Sequence, residues 1–254
     1  MATVQEIFNK LCEYAPLELQ MGFDNSGFLI GRGERLVERA LLSLDITLPV
    51  IREAEALGAD LIISHHPLIF RALKELRPNG PGEKALLLAE KGISAICMHT
   101  NLDIAQDGVN DVLIRLLGAE PEQALDADGC GRVGTLPEEM PLSGFLARCK
   151  DLLQAKGLRY VDGGRPVRRI AVMGGSGGDE FSAALEKGCD TYVTSDVKYH
   201  SFLDAAEQGL NLIDADHFCT ENPVIPVLAN RLRGTFPDVE FAVSKVHHQL
   251  TSFF

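Results

Sequence analysis

Apolar residues recur at three- and four-residue spacing near the start of the chain: Val4, Ile7, Phe8, Leu11 and Cys12 share one side of a helix predicted over 3–14. Thr3 and Glu6 have the spacing of a capping box, and Pro16 ends the segment. Asp24-Asn25-Ser26-Gly27 is turn chemistry ahead of a short strand. The run from Arg39 to Thr47 reads as a buried strand with a polar end, followed by a helix from Pro49 to Leu57 that Gly58 closes. Leu61-Ile62-Ile63-Ser64 is a second buried strand, stopped by Pro67 after two adjacent histidines. A loop at 78–82, a helix from Glu83 to Lys91, a strand over 93–100 and a helix from Asn110 to Leu117 complete the first half.

Composition shifts at the turn-rich segment 126–131, which reads as a domain junction, and the alternation resumes beyond it. Helices are predicted from Pro141 to Lys156, Glu180 to Lys187, Ser201 to Gln208 and Val224 to Arg233. Strands are predicted over 168–173, 191–195, 211–215 and about 239–246. This rhythm predicts an α/β fold of two α/β domains with mainly parallel or mixed sheets. Polar groups at the carboxyl ends of such strands form sites, and Asp45, His65, His66 and His99 all lie at those ends.

A formal net charge of −12 counts against a nucleic-acid backbone as partner and is compatible with attraction of cations. Six cysteines without a CxxC pair suit a reducing cytoplasm rather than a zinc ribbon or disulfide framework. The N-terminus lacks a signal-peptide pattern, and no apolar run reaches the roughly 20 residues of a membrane span, so no membrane partner is expected.

Three groups carry candidate metal chemistry. His65-His66 can diverge at the bend before Pro67 and face two ions, or one ring can cap a turn while the other is solvated. His99 is followed by Asp103. His217 and Glu221, four apart at a helix start, share a face and suit either a metal or an ordinary surface pair. The glycine-rich turn 174–178 matches neither a P-loop nor G-x-G-x-x-G, and suits an anion cradle or a tight turn. His200 lies by a strand end with Asp196 and Lys198 near it, and His247-His248 are expected to belong to a terminal strand. Cys219 is the one thiol expected near a site.

The ordered motifs Gly22–Gly27, Ser43–Thr47, Ser64–Phe70, His99–Asp103, Gly131–Gly134 and His217–Glu221 resemble those of the GTP cyclohydrolase 1 type 2 family, also described as Nif-three-like dinuclear metal centre proteins. The resemblance spans about residues 15–230, and the chain resembles the short form of that family. It implies a first domain of residues 1–125 plus 222–254, a second of residues 126–221, and a metal site in the cleft between them. It also implies two divalent ions per subunit, zinc, iron, manganese or nickel, held by His65, His66, Asp103, His217 and Glu221, with Asp103 and Glu221 as bridges. His99 and His200 would line the cleft and move protons, and the protein would assemble as a toroidal homohexamer. The implied activity is metal-dependent hydrolysis of a small, nucleotide-like molecule by an activated bridging water. The alternative is a non-catalytic metal-binding or interaction protein whose ions sense, store or stabilise the ring. Asp216 departs from the family pattern, where a small residue precedes the ligand histidine.

Overall fold

The computed structural model describes residues 1–80 and 82–254; Pro81, within the expected loop 78–82, lies outside them. The chain divides into two compact units, Met1–Ala105 with Ile225–His248 and Gln106–Val224 with Gln249–Phe254.

In the first unit the expected capping box forms. Thr3 accepts the Glu6 amide, and Glu6 reaches back to the Thr3 amide, so the helix Val4–Tyr14 starts with two otherwise orphaned donors satisfied. Its sheet has the order Glu240–Val243, Arg39–Ser43, Leu61–Ser64, Ser94–Cys97, Gly27–Ile30. All neighbours are parallel except the last pair. The strands Leu61–Ser64 and Ser94–Cys97 are buried along their whole length, which is why Leu61-Ile62-Ile63 is continuously apolar rather than alternating. Helices Leu48–Leu57 and Glu83–Lys91 end at Gly58 and Gly92, both left-handed (φ 66° and 65°). Val50, Ile51, Ala54 and Leu88 from these helices meet Leu41, Ile62 and Ala95 of the sheet in one apolar cluster. Parallel register aligns Ser43 with Ser64 and Ser64 with Cys97, so Asp45, His65, His66 and His99 all emerge at one edge.

The last strand stops at Val243, short of the expected 246. The Lys245 amide and the Ser244 hydroxyl both bond the Glu53 carboxylate, which bends the chain out of the ladder. His247 and His248 therefore lie beyond the strand, and the terminal-strand role expected of them is corrected.

The second unit's sheet has the order Arg132–Met140, Val167–Val172, Thr191–Thr194, Asn211–Asp214, Arg159–Val161. The three central strands are parallel and the two edge strands antiparallel. Both edge strands escape a periodicity reading. Gly134, Pro137, Glu138 and Glu139 interrupt any alternation in Arg132–Met140, and an edge position tolerates the missing amide of Pro137. Phe145, Cys149, Ile170, Val172, Val193 and Ile213 centre the core. The turn 126–131 folds back within this unit, where the Cys130 amide donates to Asp126 at 2.7 Å and Gln123 bridges Val133. Among the described residues no helix is long and apolar enough to cross a membrane.

Candidate metal centre

In the first unit Leu61–Ser64 delivers His65 into a fully buried position and leaves His66 half-buried. Their rings sit 5.0 Å apart, and the His99 ring lies 5.2 Å from His65 and 5.5 Å from His66. One ligand atom from each of these three histidines lies within 4.8 Å of the others.

Each ring is held by its Nδ1. His65 Nδ1 is 2.8 Å from the Met98 carbonyl, His66 Nδ1 is 2.8 Å from Asp45 Oδ1, and His99 Nδ1 is 2.7 Å from Asp24 Oδ1. Carbonyl and carboxylate oxygens only accept, so Nδ1 carries a proton, and in the neutral imidazole Nε2 is then the nitrogen with the lone pair. Asp103, on the short helix Thr100–Ile104, brings Oδ1 to 3.6 Å from His65 Nε2.

The two anchoring carboxylates are acidic. Burial works to raise the Asp24 carboxyl, but hydrogen bonds from His99 and Thr100 hold it well below its ordinary value. Asp45 behaves alike: burial opposes ionisation, and hydrogen bonds from His247 and His66 outweigh it. His247 Nε2 lies 3.3 Å from Asp45 Oδ2, so the residue assigned to a terminal strand instead buttresses the carboxylate that holds His66.

In the second unit His217 and Glu221 open and close the helix His217–Glu221, with Nε2 3.1 Å from Oε2. His217 Nδ1 is held by Asp196 Oδ2 at 2.8 Å, repeating the arrangement of the other three rings. Asp196, read beside His200 in the sequence, is thus a partner of His217. His200 is exposed on the helix Tyr199–Glu207, and the groups of clustered ligand atoms among the described residues do not include it. Asp216 is the helix N-cap, accepting from the Cys219 amide at 3.3 Å and from the Thr251 hydroxyl. Burial pushes its carboxyl up, but Thr251 and Gln249 hydrogen bonds bring it below its usual value. The extra acid at this position serves the backbone.

The glycine turn is a close approach. A Cβ on Gly175 (φ 68°) would lie 2.1 Å from Glu221 Oε1 and 3.3 Å from His217 Nε2. Its amide donates to Thr220 at 3.0 Å and that of Gly174 to Asn110 at 2.9 Å, so these donors are engaged by the protein rather than by an anion. Cys219 is buried among apolar side chains, burial pushes its thiol up to about 12, and the groups of clustered ligand atoms among the described residues do not include it.

Neutral imidazole nitrogens beside carboxylate oxygens form a mixed donor set that suits zinc, iron, manganese or nickel. The anchors Asp24 and Asp196 carry weak signals in the sequence. Asp24 sits in a turn far along the chain from His99, and Asp196 is closer in sequence to the wrong histidine.

Two parallel-centred α/β units, each with imidazole and carboxylate donors at strand-to-helix corners, define an α/β protein able to hold metal ions. The chain belongs to the Duf34/NIF3 (NGG1p interacting factor 3) family, whose profile matches residues 2–249. It is 37% identical over 251 residues to a GTP cyclohydrolase 1 type 2 homolog of Clostridium perfringens, covering 95% of this chain and 96% of the relative. A Helicobacter pylori protein named GTP cyclohydrolase 1 type 2 is 33% identical over 239 residues, covering 92% and 93% of the two chains. The crystal structure of Staphylococcus aureus hypothetical protein SA1388 matches with a TM-score of 0.91 at 29% identity, covering 99% of each chain.

Proposed function

We propose that this protein is a dinuclear metal-dependent hydrolase that holds two divalent ions per subunit through His65, His66, Asp103, His217 and Glu221. The observation that carries this is the common posture of His65, His66, His99 and His217, each with Nδ1 donating at 2.7–2.8 Å to a fixed oxygen. Anchoring one ring nitrogen orients the other as a ligand and raises its basicity. The ligand atoms of His65, His66 and His99 lie within 4.8 Å of one another, and lone pairs so gathered repel until a cation joins them. Bound ions supply Lewis-acid polarisation and a water of lowered pKa. His99, with its tautomer set by Asp24, is placed to accept a proton at Nε2; His200, exposed, is the second proton carrier. The names of the relatives point to a small nucleotide-like substrate, and the resemblance to a ring-shaped homohexamer. The six cysteines, free in the structure, favour the cytoplasm.

The test is metal analysis of the purified protein, followed by turnover screens of nucleotides, phosphoesters and cyclic amides with and without chelator. Two ions per subunit and a metal-dependent turnover absent from His65→Ala and Glu221→Ala are expected. If chelation dissociates a hexamer while no compound turns over above those variants, the ions are structural and the hydrolase reading fails.

A further inference from the structure

Two phenyl rings stand in water beside the histidine cluster. Phe23 is 65% exposed and Phe70 44% exposed, although large aromatic side chains gain most from burial. Their centroids are 6.4 Å apart with the planes at 61°, forming an open corner. Phe70 continues to His99, 6.2 Å away and edge-on at 86°. One ring comes from the Gly22–Gly27 turn and the other from the end of the Ser64–Phe70 motif, and neither has a part in the metal-holding scheme.

The corner is held in place by polar contacts. The Asn25 side chain donates to the Ile69 carbonyl, joining the two segments that carry the rings. Met21 donates its amide to the Thr100 hydroxyl at 3.0 Å, and Asp24 accepts from the Thr100 amide at 3.0 Å and from His99. Ligand-contacting aromatics need this kind of support, because a ring already ordered loses little freedom when a ligand stacks on it.

We infer that Phe23 and Phe70 form a stacking corner for a planar aromatic or heteroaromatic ring, which they set beside His99 and the His65–His66 pair. One face of such a ring lies on one phenyl while its edge meets the face of the other, the two arrangements aromatic quadrupoles favour. The inference deepens the hydrolase reading by naming the chemistry of the substrate at this end, and it rests on that reading only for the role of the cluster.

The experiment compares wild type with Phe23→Ala, Phe70→Ala, Phe70→Leu and the double alanine variant. Calorimetry or ligand-observed NMR reads adenosine and indole as planar probes and ribose as the ring-less control. Adenosine and indole should bind wild type and ribose should not. Each alanine variant should weaken the planar probes about five- to tenfold, with metal content and thermal midpoint unchanged. Phe70→Leu keeps apolar bulk without an aromatic face and should be as weak as Phe70→Ala. Equal affinity in the double variant, full retention by Phe70→Leu, or no binding of either planar probe to wild type would overturn the inference. If the double variant instead changes the oligomeric state, a second copy covers the corner and the inference falls as well. Phenyl-dependent probe binding in a protein that takes up no metal would sink the hydrolase reading alone.

Discussion

Asp45 and His66 are 21 residues apart in the chain, yet Asp45 Oδ1 lies 2.8 Å from His66 Nδ1. The strand Arg39–Ser43 ends beside Leu61–Ser64 in parallel register, and both chains run on past the same sheet edge. The carboxylate thereby fixes which imidazole nitrogen carries the proton. Asp45→Asn retains size but weakens that control. Metal affinity should fall about 10- to 100-fold, read by competition with a chromophoric chelator, with the circular dichroism spectrum unchanged. Unaltered affinity would remove Asp45 from the support of the centre.

Gly175→Ala tests the close approach of the glycine turn to Glu221. The left-handed backbone at Gly175 alone costs a non-glycine residue about 1–2 kcal/mol. The new methyl would also occupy space held by Glu221 Oε1, 2.1 Å from the Cβ position. A lowered thermal midpoint together with weakened metal binding is expected. A destabilised variant with wild-type metal affinity would show that the carboxylate can move aside without consequence.

Asp60 links the strand Arg39–Ser43 to its surroundings, accepting the Glu38 amide at 2.9 Å and Arg35 Nη2 at 3.0 Å. Burial raises its pKa, but the Glu38 amide and Arg35 outweigh that, and the folded value lies below the ordinary 3.8. A depressed carboxyl contributes stability that is complete above its unfolded pKa and is lost as pH falls through the folded one. Asp60→Ala should therefore destabilise the protein by about 2 kcal/mol at neutral pH. The gap to wild type should narrow below about pH 4, as followed by urea melts across pH. A gap independent of pH would assign the effect to packing.

Thr3→Ala removes one half of the capping box on Val4–Tyr14. A loss of about 1 kcal/mol is expected in chemical denaturation, because the Glu6 amide loses its acceptor. Thr3→Ser should restore most of it.

Helices and central strands were legible where a single physical requirement wrote itself locally. The capping box at Thr3 and Glu6, the left-handed glycines 58 and 92, and the unbroken apolar run at Leu61–Ile63 each announce an element within a few residues. The edge strands Arg132–Met140 and Arg159–Val161 were illegible because one side of an edge needs neither apolar residues nor every amide. Ligand-type residues were legible as histidine and carboxylate pairs at strand ends. Their supports were not: Asp24 meets His99 across 75 residues, and Asp196 meets His217 across 21.

By itself the sequence determined the α/β rhythm and the residue types able to hold metal, because helix caps, periodicity and donor chemistry are properties of neighbouring residues. Tertiary structure alone decided which nitrogen of each histidine is engaged, why Gly175 must lack a side chain beside Glu221, and that Asp216 caps a helix. It also decided that His247 backs Asp45 and that Phe23 stands with Phe70 in the open. Those relationships depend on sheet register and on where chains leave their strands. The hydrogen bonds that express them join residues with no common local pattern, so only the folded chain brings them together.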